Sequence, residues 1–476
     1  MDLVKYRPLT IRFFIVVWVL SFLFISGRDL LDYRLQSIGV DSWVTFGTAE
    51  VGLSKSSTLA PAGDVFEHNG KLYPAKQPGQ FIMGAVFYFV LKMLGCSYES
   101  NYLLAAGFIG ALTSGLLTAF VAMLMLRHSL VVHSANPTLA CLVVASTFIG
   151  SQWYVYSSIS HHDILAGCLM MLAIVLLDPR KKWPSSSRLF FAGIILGLVL
   201  FTSMLPAAMV LVCIVYCMFV AAFVSGRHLW VLMGFCLGLL PIFLYNLIYF
   251  GSPLTPANIA GGYSDTYPAM EPLRFLHHLN MYLGVSGLNQ FLYSPISYGA
   301  ILFSILWGLV GFYKLPAALA KVVGDRSSDN LFSIFLTMLC GAVLVHLVYI
   351  CSIETLGTCS YGPRYLLPIL PVVSFILLCK LGQAVKFWGV AALSVFLVYG
   401  FCVNLVGKLY GSIVCNLEEF SFLAQWQRAP SLSSAELPLL PLVVFFLAFA
   451  GIRLFVFIQS KIQVEVTGPD VLVRNG

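Results

Sequence analysis

From Leu189 to Val224 the chain runs for 36 residues without one charged side chain. As a helix that is about 54 Å, too long for one crossing of a ~30 Å bilayer core, so the run must turn back on itself. Pro206 is the natural break, because a proline inside a helix removes a backbone hydrogen bond and clashes with the turn before it. Runs of this kind recur at roughly 10–27, 102–126, 138–157, 162–177, 189–204, 206–224, 229–250, 296–313, 331–351, 365–380, 387–406 and 437–458. Of the 476 residues, 59% are hydrophobic and only 10% are charged, against ~25% charged in an ordinary soluble domain. That excess rules out a soluble enzyme, a disordered chain and a secreted disulfide scaffold. The fold class that remains is an all-α polytopic membrane protein with about 12 transmembrane helices.

Residues 80–95, QFIMGAVFYFVLKMLG, pose a choice. Sixteen residues make ~24 Å of helix, short of a crossing, and Lys92 stands near the end, so we read an amphipathic helix lying in the membrane interface. Charge supports this. With twelve spans and both termini cytoplasmic, the inner face holds seventeen of the 27 basic residues and six of the 20 acidic ones. A thirteenth span at 80–95 would turn Asp178-Pro-Arg-Lys-Lys outward and break the positive-inside rule. The net charge of +7 follows from the same loops and forms no patch for nucleic acid. Twelve cysteines lie mostly within apolar runs, with no CxxC pair to suggest zinc or redox chemistry.

The elaboration is all on the outer face: a first extracytoplasmic loop at 28–79, a second at 251–295 and a third at 407–436. The first carries eleven charged residues, among them Asp29, Asp32 and Asp41, carboxylates placed at a membrane boundary where a general base can work. Asp64 to Gln80 reads DVFEHNGKLYPAKQPGQ. Its Asn69-Gly70 is a hairpin turn signal, and Lys76 stands at the mouth of the interfacial helix, where it can meet a lipid phosphate or serve as a snorkelling anchor. Ser160-His161-His162-Asp163 opens the run at 162–177 as a polar helix cap or a proton or metal site, although adjacent helical residues diverge by about 100° and rarely share one ion. Gly357 to Pro371 reads GTCSYGPRYLLPILP; Arg364, held by Gly362-Pro363 and flanked by Tyr361 and Tyr365, can grip a phosphate bidentately. His346 is the obvious ionisable residue inside a run, and we read it as a satisfied core histidine.

Three segments together resemble the GT-C superfamily of polytopic glycosyltransferases, in the style of protein O-mannosyltransferases and the aminoarabinose transferase of lipid A. DVFEHNGKLYPAKQPGQ is similar to the family's D…NGxYY…KPPG stretch, YNLIYFGSPLTPANIAGGY to YN…FGSP…GY, and GTCSYGPRYLLPILP to GG…GPRYLLPxLP. The resemblance runs over most of residues 10–380. It implies a large first outer loop with interfacial helices, a polyprenyl-phosphate-linked sugar as donor, and transfer to a lipid, glycan or protein acceptor at the outer face of the plasma membrane. Lys76 and Arg364 would bind the donor phosphate, Asp64 matches the aspartate before the turn, and the base is one of Asp41, Asp32 and Asp29. The family's acidic pair directly after the first span is here spread out by Leu30-Leu31, which leaves that choice open. His161, His162, Tyr361 and Tyr365 would shape the site. No cofactor is required; acidic and histidine side chains in the outer loops leave room for a divalent metal ion, with no diagnostic spacing. The alternative is a transporter or flippase of lipid-linked sugars, disfavoured because the spans hold almost no mid-helix charge.

Overall fold

The computed structural model describes residues 6–23, 34–53, 64–180, 184–262, 271–324, 327–357, 361–381, 387–410, 420–421 and 423. Contacts group Met1–Phe422 into one unit and Leu423–Gly476 into a second, of which only Leu423 is described. The expected span at 437–458, most of the third outer loop and both chain ends therefore lie outside the described residues.

The apolar runs fold as helices. In chain order they are α1 (Arg7–Leu23), α2 (Arg34–Phe46), α3 (Gly79–Met93), α4 (Tyr102–Gly110), α5 (Leu116–Val131), α6 (Pro137–Phe148), α7 (His162–Leu177), α8 (Ser186–Thr202), α9 (Ala207–Phe223), α10 (Leu229–Phe250), α11 (Pro272–Leu283), α12 (Pro295–Gly324), α13 (Ser328–Ser352), α14 (Leu370–Leu381) and α15 (Phe387–Tyr410). Among the described residues six stretches are long and apolar enough to cross a membrane: Leu104–Val131, Gly226–Phe250, Pro295–Val322, Ser328–Ser352, Arg364–Leu381 and Gly389–Lys408. Shorter apolar helices, α6 to α9 and α3, stand beside them. The chain is an integral membrane protein. Pro206 divides the long run as its chemistry requires, serving as N-cap of α9.

Two expected spans are not continuous helices. The run at 138–157 stops at Phe148 and resumes as one turn at Trp153–Tyr156. The break follows from packing, because a Cβ on Gly400 of α15 would lie 2.3 Å from the Gly150 carbonyl oxygen. The run at 365–380 opens as a 3₁₀ segment, Arg364–Ile369, before α14 begins. Pro368 and Pro371 supply no N–H there. Between α4 and α5 the helix loosens into a π turn at Ala111–Gly115. The Trp18 indole donates to Ala111 O at 3.1 Å, and Gly110 lies against the backbone of Ser158. Such widened turns favour functional sites because they re-aim side chains.

Backbone-to-backbone packing builds the most intimate helix pair. α8 carries Gly193 and Gly197, and α10 carries Gly234 and Gly238. A Cβ on Gly193 would sit 2.1 Å from Val231 O, and one on Gly234 would sit 2.0 Å from Phe190 O. Small residues four apart let two membrane helices touch, where lipid offers no hydrophobic drive to push them together. Around this pair α8 packs on α7, α9 on α13, α12 on α13 and α1 on α5.

The first loop forms its own layer at one end of the bundle. Strands β1 (Val65–His68) and β2 (Lys71–Pro74) pair antiparallel, with His68 opposite Lys71. Asn69 and Gly70 both take left-handed φ, 53° and 74°, as a two-residue hairpin needs. α2 packs along α3, and Leu35, Ile38, Val40, Tyr88, Leu91 and Tyr98 make a small core between them. A second small core seats the hairpin on the end of α10. Phe66 and Tyr73 meet Phe250 with ring centroids 5.8 and 5.7 Å apart, and Tyr73 meets Tyr249 at 5.8 Å. Two motifs far apart in sequence, NGKLYP and YNLIYFGSP, are thus one contact surface.

Candidate functional site

The hairpin delivers Lys76. Its register continues one residue past β1, where Asp64 O accepts from Ala75 N at 2.7 Å. Asp64 takes φ 47°, a conformation aspartate tolerates better than most residues. Lys76 Nζ then lies 2.9 Å from Asp64 Oδ2, with the carboxylate half exposed. Burial raises the Asp64 carboxyl, but the neighbouring ammonium of Lys76 overrides it and holds the group below the usual 3.8. Just beyond, Gly79 allows α3 to start against the end of α8. A Cβ there would meet Phe201 O at 2.8 Å and Thr202 Oγ1 at 2.9 Å.

The α8 end leads to the next group. Ser203 caps α8 and donates to Asp163 Oδ1 at 3.0 Å. His161 is the N-cap of α7, its Nδ1 accepting from Asp163 N at 3.2 Å, while its own N–H donates to Ser114 Oγ of the π turn at 2.9 Å. The polar-cap reading of this motif is therefore correct for His161, and an acidic side chain in the first turn suits the helix dipole. His162 stacks on His161 at 4.5 Å and places Nε2 3.4 Å from Asp163 Oδ1. Its Nδ1 lies 3.4 Å from Gln36 Nε2 of α2.

Arg364 completes the group from the 3₁₀ segment that packs on α7. Gly362 takes φ 65° against the Tyr293 ring, a left-handed turn that brings Pro363 and Arg364 inward. Arg364 Nε is 4.0 Å from Asp163 Oδ2, beyond hydrogen-bond range but within strong Coulomb reach of a carboxylate only 1% exposed. Its guanidinium carbon lies 5.4 Å from the Tyr365 ring centre. The charges of Lys76 and Arg364 both act on Asp64, His161 and His162. Three segments of the chain thus bring two cations, two imidazoles and two carboxylates to one end of the bundle. Beside His162 a cleft is lined by Gln36, Ser37, Tyr98, Tyr102, Ile109 and Ser160. Gln36 Oε1 and Ser160 Oγ are buried there without a hydrogen-bond partner among the described residues.

The other candidates fall elsewhere. Asp41 lies on α2, 6% exposed, and its Oδ1 accepts from Thr45 Oγ1 at 2.8 Å and Tyr88 OH at 3.0 Å, with Lys92 Nζ 3.6 Å away. It ties α2 to α3. Asp29 and Asp32 lie outside the described residues. Tyr361 is a buried strut, donating to Val403 O at 2.7 Å and receiving the Tyr156 hydroxyl on its own carbonyl at 3.0 Å. The Tyr365 carbonyl lies 2.9 Å from His346 Nε2, while the buried Nδ1 of that core histidine has no hydrogen-bond partner among the described residues. Asp163 stood in the sequence as part of the His161-His162-Asp163 motif, and its approach to Arg364 is what sequence reasoning missed. Its signal was its place directly after His161-His162, but an aspartate in a first helical turn reads first as a dipole partner.

No family model matches the chain, and no curated protein matches it. Solved structures do. ArnT from Cupriavidus metallidurans bound to undecaprenyl phosphate is 15% identical, with a TM-score of 0.50 over 88% of this chain and 68% of that one. The apo form of the same protein aligns at 14% identity over 78% of this chain and 85% of that one, with a TM-score of 0.31, too low to carry weight. The likeness shows the fold alone: an all-α membrane architecture like that of ArnT.

Proposed function

We propose that the protein is a membrane glycosyltransferase of the GT-C type, taking a sugar from a polyprenyl-phosphate donor at the end of the bundle that carries the hairpin, the extracytoplasmic face. The observation that carries the reading is the pairing of Lys76 with Asp64 at 2.9 Å and the approach of Arg364 to Asp163 at 4.0 Å, both charges acting on His161 and His162, beside α3, which we read as interfacial. Two cations at a membrane boundary suit a lipid phosphate. The ArnT crystal structure holds undecaprenyl phosphate in this fold, which supports that donor class here.

The chemistry needs three acts. A carboxylate takes the acceptor hydroxyl proton, the resulting oxygen attacks the anomeric carbon, and the carbon–oxygen bond to phosphate breaks with inversion. The departing polyprenyl phosphate gains a negative charge, which Lys76 and Arg364 neutralise as it forms. Asp64 holds Lys76 at 2.9 Å, and the Asp163 carboxylate attracts Arg364 across 4.0 Å without a hydrogen bond at that contact. For the base we favour Asp29 or Asp32, directly after α1, over Asp41, whose Oδ1 already takes two hydroxyl donors and faces Lys92. His162 and the neutral polar cleft beside it suit a sugar. The test is transfer of radiolabel from a panel of polyprenyl-phosphate sugars in purified membranes. Arg364→Ala and Lys76→Ala should each cost on the order of 10²–10³-fold in turnover, as loss of one preorganised charge donor does. Full activity in either variant removes the phosphate role. Label crossing sealed vesicles without transfer replaces the transferase with a flippase.

A further inference from the structure

A second histidine–carboxylate group lies at the other end of the bundle. Asp178 follows the last residue of α7, and His161 precedes the first, so the length of α7, about 24 Å, separates this group from the proposed donor site. Asp178 Oδ2 has His128 Nε2 at 2.6 Å and His133 Nε2 at 2.8 Å. The three come from three segments: His128 from the last turn of α5, His133 from the α5–α6 turn, and Asp178 from the end of α7. Ser134 takes φ 52° just after His133, the tight turn that folds its ring back on His128, 5.3 Å away. Phe332 and Phe375 wall the group at 5.1 and 5.5 Å from the His133 ring.

Charge is the unusual part. The Asp178 side chain is 0% exposed, yet its ion-pair contacts within 4.0 Å among the described residues are the two histidines alone. The nearby arginines are spent elsewhere. Arg188 donates to Val175 O at 2.6 Å and Asp178 O at 3.2 Å, both backbone carbonyls, and Arg180 lies over the Phe332 ring at 4.8 Å. The second carboxylate oxygen, Oδ1, accepts from Arg180 N at 2.9 Å and so is pinned in orientation. Among the described residues no lysine or arginine side chain pairs with this buried carboxylate, so a bound cation would offset the cost of its burial.

We propose that His128, His133 and Asp178 form a divalent transition-metal site of the zinc class, with a fourth position open to water. Two imidazoles and a carboxylate are a recognised zinc donor set, and the three ligand atoms already lie within 4.8 Å of one another. Bonds of ~2.0–2.1 Å in tetrahedral geometry require ligand atoms about 3.3 Å apart, so each Nε2 opens from Oδ2 by roughly half an ångström on loading. The imidazole protons move to Nδ1. The Nδ1 of His133 has no partner among the described residues, which costs affinity by ~10–100-fold against a site whose outer nitrogen is bonded. The ion would clamp α5, the α5–α6 turn and α7 together.

The test uses the full chain in lipid nanodiscs, stripped with a chelator and titrated with Co²⁺. One equivalent per chain should give the ligand-field absorption of four-coordinate cobalt, and Zn²⁺ should displace it. The band should vanish in His133→Ala and in Asp178→Asn, and persist in a His161→Ala/His162→Ala double variant, which removes the two histidines of the other cluster. Absence of the band in the wild-type chain, a reading that depends on no variant's folding, overturns the proposal. So does a band that survives His133→Ala and Asp178→Asn.

Discussion

Gly79 has no functional group, yet changing it should cost activity. In Gly79→Ala the new Cβ would stand 2.8 Å from Phe201 O and 3.0 Å from Thr202 Cα, both backbone atoms at the end of α8. Ordinary contact begins near 3.4 Å, so α3 must back away by about 0.6 Å at its first residue. Neither partner is a side chain that could swing aside. Lys76 is three residues upstream and moves with it. A misplacement of ~1 Å at a charged group can cost ~10²-fold in rate, so about 0.6 Å should cost roughly tenfold in kcat/KM. Affinity for undecaprenyl phosphate, measured in nanodiscs, should fall with it, because Lys76 is the group displaced. Gly299→Ala is the matched control: its Cβ meets nothing within 4 Å, so activity should be unchanged. Wild-type donor affinity in Gly79→Ala, with Gly299→Ala also normal, would refute the idea that the α3–α8 contact sets the position of Lys76.

Three further outcomes are expected. Asp64 is held below its unfolded value, so its pairing with Lys76 contributes fully above the ordinary carboxylate range and is lost only as pH falls through the lowered folded value. Donor affinity should then be flat from pH 8 to pH 5 and drop below about pH 4, and Asp64→Asn should abolish that acid-side drop. Asp41→Asn keeps an oxygen that accepts from Tyr88 and Thr45 but loses the charge facing Lys92. It should lower the thermal midpoint and leave turnover within a few fold; complete loss of turnover with normal folding would make Asp41 the base. Gly234→Val forces α8 and α10 apart, since even a Cβ would lie 2.0 Å from Phe190 O. Overpacking of this kind costs ~1–3 kcal/mol, which denaturant unfolding in detergent should register.

What the sequence determined by itself was what depends on neighbours along the chain. Apolar runs become helices wherever the bilayer leaves backbone groups no other partner, so α7 and α10 occupy the expected residues 162–177 and 229–250. Pro206 breaks its run because proline lacks an N–H, and Asn69-Gly70 turns the hairpin because both residues accept positive φ. Lys76 and Arg364 stood out for the same kind of reason, each beside a glycine and a proline that fix local backbone. Tertiary structure decided what depends on residues far apart in sequence. It drew Asp163 toward Arg364, 201 positions away, and gave Asp41 to Tyr88 and Lys92. It also interrupted the run at 138–157, where Gly400 of α15 meets Gly150. No periodicity encodes such pairings. A carboxylate finds its cation only when packing, set here by glycine faces and aromatic stacks, has brought the segments within Coulomb range.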